Sequence, residues 1–275
     1  MVVQQNRLDA LSNNLANVDT TGYKRDTPIE KAFPELLIRR MADDGVTQFP
    51  YRGFPVGSFD VAPVVGSVGT GVETNEFYTV FSQGGLKQTD NAFDLALEGE
   101  GFFVVDTPYG ERYTRNGSFL IGSEGMLVTK QGYPVLGEDG PIQLKLNNFV
   151  VDEDGVIYEN DTFAGDPDRL VSMRENEWEN TVEVDRLRVV DMRNTRYIRK
   201  QGDSFWRTTD ESGEAFTIES GRPKVRQGFL ETSNVNPVTE MVQLIEVNRA
   251  YEANQKAIQS QDQMTGRLIN EAIRL

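Results

Sequence analysis

The run NPVTEMVQLIEVNRAYEANQKAIQSQDQMTGRLINEAIRL, Asn236 to Leu275, decides how the rest of the chain is read. Asn236 suits a helix N-cap, and Pro237 suits the first helical position, where its missing N–H costs nothing. From there Leu244, Val247, Tyr251, Ile258, Leu268, Ala272 and Leu275 fall on one seam at spacings of three and four. Asn254, Gln261 and Thr265 fill the remaining seam positions, and Gly266 is the only glycine. Continuous helix to the C-terminus would be about 58 Å long at 1.5 Å per residue. A stripe of that length is too long for a chain of 275 residues to cover along its whole course, so it is expected to pair with other helices.

The other end carries a matching stripe. Leu8, Leu11, Leu15 and Val18 recur at three, four and three, between faces of Gln4, Gln5, Asn13, Asn14 and Asn17. Gly22 supplies the expected left-handed stop. Between the ends the texture is β-like. Residues 44–75 are rich in Gly, Pro and β-branched residues without helical period and read as extended chain or a long hairpin. Strands are expected at Leu95 to Leu97, Phe102 to Val105, Phe119 to Ile121, Met126 to Val128, Phe149 to Val151, Val156 to Tyr158 and Leu187 to Met192. Asn116-Gly117, Gly122 to Gly125, Glu138-Asp139-Gly140 and Asp154-Gly155 are turn sequences between them. The fold class expected is α+β: a mainly antiparallel β centre with hairpins, flanked by amphipathic helices that form a coiled-coil layer. The domains expected are 1–24 plus 231–275 (helical), 25–76 (connecting, extended or hairpin) and 77–230 (β-rich), with 160–185 a possible insertion.

Composition removes many functions. The chain has neither Cys nor His, so thiol nucleophiles, disulfides, Cys-ligated metals and the commonest general base are all missing. Lys and Arg total 28 against 43 Asp and Glu, a net charge of −15, which argues against a nucleic-acid partner. No apolar run approaches the roughly 20 residues of a membrane span, so no membrane insertion is expected. Gln4 to Arg7 interrupt the start before the apolar core of a cleaved leader could form, so none is expected. The charge is unevenly placed. Residues 1–24 balance Arg7 and Lys24 against Asp9 and Asp19, residues 237–275 set five acids against four bases, and the middle therefore carries −14. Near-neutral ends can stack with those of other copies while an acidic middle stays solvated.

Chemical motifs are weak. Gly69-Thr70-Gly71 and Gly99-Glu100-Gly101 lack the third glycine and following helix of a dinucleotide site. Asp152-Glu153-Asp154-Gly155 has Val150 where a calcium loop needs its first ligand, so it reads as a hairpin turn. Asp185, Asp191, Glu175, Glu177 and Glu179 offer carboxylate pairs for glycoside hydrolysis, but 43 acids supply pairs by chance. Trp178 and Trp206 read as packing residues, and the basic run Arg193, Arg196, Arg199 and Lys200 as a solvated face or a patch for an acidic neighbour. No catalytic, cofactor or metal residue is assigned.

Four stretches also carry a family likeness: SNNLANVDTTGYKRD (Ser12 to Asp26), FSQGGLKQTDNAFDLALEGEGFFVV (Phe81 to Val105), YTRNGSF with QGYPVLGEDGPI (Gln131 to Ile142), and ETSNVNPVTEMVQLIEVNRAYEANQKAI (Glu231 to Ile258). In order and together, they resemble the bacterial flagellar rod and hook proteins, nearest the proximal-rod member and next the distal-rod member. The resemblance implies a structural, non-enzymatic subunit of the basal-body rod, an axial tube that crosses the periplasm, transmits torque from motor to hook and encloses an export channel. Its implied partners are copies of itself, neighbouring rod and hook proteins and the flagellar export apparatus, which exports such chains without a cleaved signal peptide. No cofactor is implied. The assembly residues expected are Leu8, Leu11, Leu15 and Val18, packing against Leu244, Val247, Tyr251, Ile258 and Leu268 and against the same stripes of neighbours. The rival readings are a hook-type or other filament or adhesin subunit, and a carboxylate-based hydrolase of cell-wall glycan.

Overall fold

The structure is a computed structural model that describes residues 1–39, 46–51, 54–60, 64–89, 91–144, 149–160, 181–218 and 221–272. Of the candidate insertion 160–185, residues 161–180, with Trp178, Glu175, Glu177 and Glu179, lie outside the described residues, as does Leu275. The fold is α+β, with mostly antiparallel sheets between an N-terminal helix α1 (Val2–Ala16) and a C-terminal helix α2 (Pro237–Ala272). The chain groups into two compact units, one of Met1–Asp9, Pro28–Phe77 and Val247–Leu275, the other of Ala10–Thr27 and Tyr78–Glu246.

In the second unit the centre is a six-stranded antiparallel sheet. Its strands run in the order Arg199–Lys200, Phe205–Arg207, Gly110–Thr114, Phe102–Thr107, Val189–Met192 and Ala215–Thr217. Successive side chains of a strand point to opposite faces, and Phe102–Thr107 uses both. Phe103 and Val105 enter one apolar cluster with Leu95, Leu97, Phe119, Leu127 and Ile157. Phe102 and Val104 enter another with Tyr113, Val190, Met192 and Trp206. All four are essentially without solvent contact, so this strand is covered on both sides. That explains why it reads as a continuous apolar run rather than an alternation. Trp206 is a core residue, packed edge-on against Phe81 and Phe102.

Expected strands recur with small shifts. Phe119–Ile121 and Phe149–Val151 stand as read; Met126 to Val128 becomes Leu127–Thr129, and Leu187 to Met192 shortens to Val189–Met192. Gly125 at φ +76° closes the hairpin joining Phe119–Ile121 to Leu127–Thr129, and Gly155 at φ +79° closes the one joining Phe149–Val151 to Val156–Asn160. The latter turn is the Asp152 to Gly155 stretch; Glu153 there pairs with Lys224 and Arg226 rather than standing ready for a metal. Asn116-Gly117 does not close a hairpin, because the strands beside it, Gly110–Thr114 and Phe119–Ile121, belong to different sheets. Gly117 is required for another reason: a Cβ on it would lie 1.5 Å from the Leu95 carbonyl oxygen, where Leu95 N–H bonds Gly117 O at 3.0 Å.

In the first unit, successive antiparallel pairs nest inside one another: Leu36–Arg39 with Val64–Val68, then Val46–Tyr51 with Phe54–Asp60. Outside them, Asp26–Ala32 pairs with Val72–Thr79. The first turns of α1 are fixed to the base of this ribbon. Asn6 Nδ2 donates to Thr74 Oγ1 at 3.1 Å, and Arg7 pairs with Glu30 at 3.5 Å.

α2 starts as its sequence dictates, with Asn236 Oδ1 accepting from Val238 N–H at 3.0 Å. It runs 36 described residues, about 54 Å. α1 ends two residues earlier than its stripe suggests, so Val18 lies beyond the helix. Asn17 turns the chain by bonding the Asn13 carbonyl through its own side chain, and Val18 N–H reaches Leu15 O in a tighter turn. Among the described residues, no helix is long and apolar enough to cross a membrane.

Candidate functional site

The stretches Ser12 to Asp26, Phe81 to Val105, Tyr113 to Phe119 and the segment opening at Glu231 converge, within the second unit, on one buried polar junction. Its centre is Lys24 against Glu231, both at 0% side-chain exposure, with Nζ to Oε1 at 2.6 Å. Lys24 Nζ also donates to the Ser82 carbonyl at 2.8 Å, and Glu231 Oε1 accepts from Gly84 N–H at 2.9 Å. Arg115 Nη1 lies 3.5 Å from Glu231 Oε2, with its guanidinium over the Phe102 ring. Burial pushes the Lys24 ammonium below its ordinary range, and the neighbouring Glu231 carboxylate opposes that shift. Burial likewise lowers Arg115, again opposed by Glu231.

Glycine makes the approach possible. Gly22 donates its N–H to the Glu231 carbonyl at 2.8 Å, and at φ +66° a Cβ would sit 2.5 Å from Asn116 N. The expected helix stop is therefore also a close crossing of three chain segments, which local sequence cannot reveal.

A second tier joins the helices to this centre. Asn14 of α1, buried, accepts from Tyr23 O–H at 3.1 Å and Asp26 N–H at 3.0 Å, and donates to the Asp26 carbonyl at 2.9 Å. Its Nδ2 also reaches Glu240 Oε2 of α2 at 3.4 Å, and Arg25 Nη1 meets the other Glu240 oxygen at 3.4 Å. Asn234, two residues before the Asn236 cap, accepts from Arg25 N–H at 2.8 Å and donates to the Val80 carbonyl at 2.8 Å. Lys200 donates to the Lys24 carbonyl and to Asp26 Oδ2, at 2.7 and 2.8 Å, with its ammonium 4.3 Å from the Tyr23 ring centre. Lys200 thus belongs to a half-buried contact within the chain rather than to a fully solvated face.

The junction contains no nucleophile beside a base. The buried Lys24 and Arg115 share the Glu231 carboxylate, and the Asn14 and Asn234 amides are bonded through both oxygen and nitrogen, so its chemistry is positional: it holds the inner ends of both helices to the β body. Asn14, Lys24, Glu231 and Glu240 were not picked out by periodicity, because they are polar residues off the apolar stripes. Their only sequence signal is that they lie inside the quoted motifs.

The expected assembly residues are graded by exposure. Leu11 and Val247 are buried, and Leu8, Leu15, Val18, Leu244 and Tyr251 are half-buried. Ile258 and Leu268 are open to solvent, at 44% and 69%. α2 also carries an apolar stripe that the seam reading missed: Val238, Met241, Val242 and Ile245, spaced one turn apart and each about half exposed or more.

Of the candidate glycosidase acids, Asp185 accepts Arg186 N–H and Asp191 accepts Met192 N–H, so both serve local backbone. Among the described residues no group of acids is arranged to hold a metal ion.

The inner ends of both helices are held to a β body, and apolar side chains stay open along a long helix, the arrangement of a structural assembly subunit. Comparison with known proteins makes this specific. Residues 226–271 match the flagellar basal body rod FlgEFG protein C-terminal family, residues 96–159 the flagellar hook protein FlgE/F/G D1 domain, and residues 1–24 the flagella basal body rod protein family. The chain is 32% identical to flagellar basal-body rod protein FlgG of Buchnera aphidicola subsp. Schizaphis graminum, over 96% of this chain and 94% of that protein. It is 33% identical to FlgG of Borreliella burgdorferi, over 97% and 93%, and 31% identical to flagellar basal-body rod protein FlgF of Caulobacter vibrioides, over 90% and 83%. The chain belongs to the flagellar basal-body rod protein family. It is a structural subunit of the rod in the flagellar basal body, and not an enzyme.

Proposed function

We propose that α1 and α2 form an inner coiled-coil layer of the rod. In this reading residues 1–24 and 231–275 are the assembly domain, 77–230 the outer β domain with 160–185 as an insertion, and 25–76 the connection. Leu8, Leu11, Leu15 and Val18 pack with Leu244, Val247, Tyr251, Ile258 and Leu268 and with the same stripes of neighbouring copies and of other rod and hook proteins. The subunit reaches its place through the flagellar export apparatus, lines the channel that later subunits travel, and carries torque from motor to hook.

The observation that carries this reading is the exposure gradient along one helical seam. Val247 is 3% exposed, whereas Ile258 and Leu268, on the same seam, are left to solvent together with the Val238 to Ile245 stripe. Fully burying such side chains contributes about 1.5–3 kcal/mol each, less the entropy of ordering them. A head-to-tail contact of this kind extends without closing, which suits a tube. Tight fixing of both helices to the β body at Lys24 and Glu231 supports the transmission of torque, because a loose joint would twist under load.

The test is Ile258→Asp and Leu268→Asp in the full chain. Both side chains are exposed in the single chain, so its melting should change little, within about 0.5 kcal/mol. Polymerisation and motility should be lost. Normal rods with either variant would remove the proposed seam.

A further inference from the structure

The six-stranded sheet of the second unit carries a row of arginines at one edge. Arg199 stands directly opposite Arg207, and Lys200 opposite Trp206. On the next strand Tyr113 stands opposite Trp206, and continuing that antiparallel register sets Arg112 opposite Arg207. The three arginines therefore lie abreast on one face of three neighbouring strands, with Lys200 on the other face. Arg199 and Arg207 are exposed, and Arg112 is half-buried. None of them meets a carboxylate among the described residues. Arg112 bonds neutral groups, the Gln201 side chain and the Glu111 carbonyl. Like charges directly opposite across a sheet are destabilising, and these stand together in a chain of 28 basic and 43 acidic residues. For the basic run that includes Arg199, a patch for an acidic neighbour is the reading that relieves this repulsion.

We propose that this row receives the acidic turn Asp210, Glu211 and Glu214 of a second copy of the chain. The three acids are exposed, and none is ion-paired among the described residues. The turn that bears them is held before any contact. The Ser212 hydroxyl, on a residue 1% exposed, accepts from Thr209 N–H at 2.8 Å, and Thr209 Oγ1 donates to the Tyr197 carbonyl at 2.8 Å. A preorganised turn loses little freedom on binding. It also leads the chain from the second strand of the sheet to the sixth, so Glu214 stands beside the edge opposite to Arg199. Two copies set edge to edge thus bring the arginines of one against the acids of the next, where the guanidinium fork fits a carboxylate in two-point fashion. Copies with a net charge of −15 repel one another unless acidic surface on one meets basic surface on the next. The contact is head-to-tail and repeats along an open assembly. It rests on the reading that copies pack side by side, and adds to the helical seam a charged contact between β bodies.

The test uses the full chain carrying Ile258→Asp and Leu268→Asp, which silences the helical seam, and reads self-association by sedimentation velocity across a concentration series. Reversible association is expected at low salt and is lost as salt is added. Arg199→Glu with Arg207→Glu should weaken it roughly tenfold, as should Asp210→Lys with Glu211→Lys and Glu214→Lys. A chain bearing all five reversals should associate again. Arg199→Glu alone separates the contact from folding: it turns a repelling cross-strand pair into an attracting one, so the melting midpoint should rise while association falls. Absence of association in the starting chain overturns the proposal, and so does association untouched by the arginine reversals. Loss with the arginine reversals but not with the acidic ones also overturns it, because another anionic surface then fills the row. Failure on any of these counts leaves the helical seam standing, and normal rods with Ile258→Asp or Leu268→Asp would remove the seam while leaving this contact standing.

Discussion

Lys24 and Glu231 are each fully buried, and neither would be tolerated there without the other. Removing one partner of a buried ion pair typically costs about 3–5 kcal/mol, whereas replacing both by apolar groups can be nearly neutral. Lys24→Met alone is therefore expected to lower unfolding free energy by that amount in denaturant titration. Glu231→Leu should cost more, because it strands both Lys24 and Arg115, and adding Lys24→Met to it should recover only the part due to Lys24; single losses that simply add in the double variant would show that the pair is not coupled. Tyr23, beside them, gives a pH signature. Its phenol is held well above the ordinary 10.0, chiefly by burial and then by the nearby Asp26 and Glu240 carboxylates. The unfolded phenol loses its proton near pH 10 while the folded one keeps it. Over that window the folded state binds more protons, so stability falls as pH rises above 10. Tyr23→Phe removes this contribution, and thermal melts across alkaline pH should show a shallower decline above pH 10 than in the parent chain. An unchanged slope would mean that Tyr23 titrates alike in both states.

At the scale of elements, the β body depends on strands covered on two faces and on glycines that admit close crossings. Phe102–Thr107 was legible as an apolar run, because burial on both sides erases the alternation that marks a half-exposed strand. Short strands such as Arg199–Lys200 and Ala215–Thr217 carry no such signal, since their place is set by partners distant in sequence. Gly117 illustrates the same limit. Next to Asn116 it reads as a hairpin turn, yet its role is contact with the Leu95 backbone. Gly117→Ala is expected to force the Leu95–Ser118 region apart and to destabilise the chain by about 1–3 kcal/mol, measured as a lowered denaturation midpoint. Gly132→Ala makes the contrast. It sits at φ +88° in open space, so it should show only the cost of an alanine in the left-handed region.

For the whole molecule, charge and apolar surface are divided between different parts of the chain. The ends are near neutral and striped, and the middle holds −14 of the −15. In the proposed packing, assembly covers the exposed apolar residues of α2, so substitutions there should separate folding from polymerisation. Ile258→Asp, argued above, should leave the single chain as stable as before and abolish rods. Val247→Asp, at a position 3% exposed, should instead damage both. That difference between two positions on one seam is the molecular-scale form of the proposal, and equal behaviour of the two variants would contradict the exposure gradient.

The amino-acid sequence alone determined that the chain has two striped helical ends around an antiparallel β centre, lacks thiol and imidazole chemistry, and resembles an axial flagellar protein. Those properties reside in local period, turn residues and composition, which need no knowledge of what lies across the fold. Tertiary structure alone decided that Val18 falls beyond its helix and that Asn14, Lys24, Arg115, Glu231 and Glu240 form one junction. Such polar contacts join residues up to 226 positions apart. Their stability comes from mutual burial, a property of the folded arrangement that leaves no periodic trace along the chain.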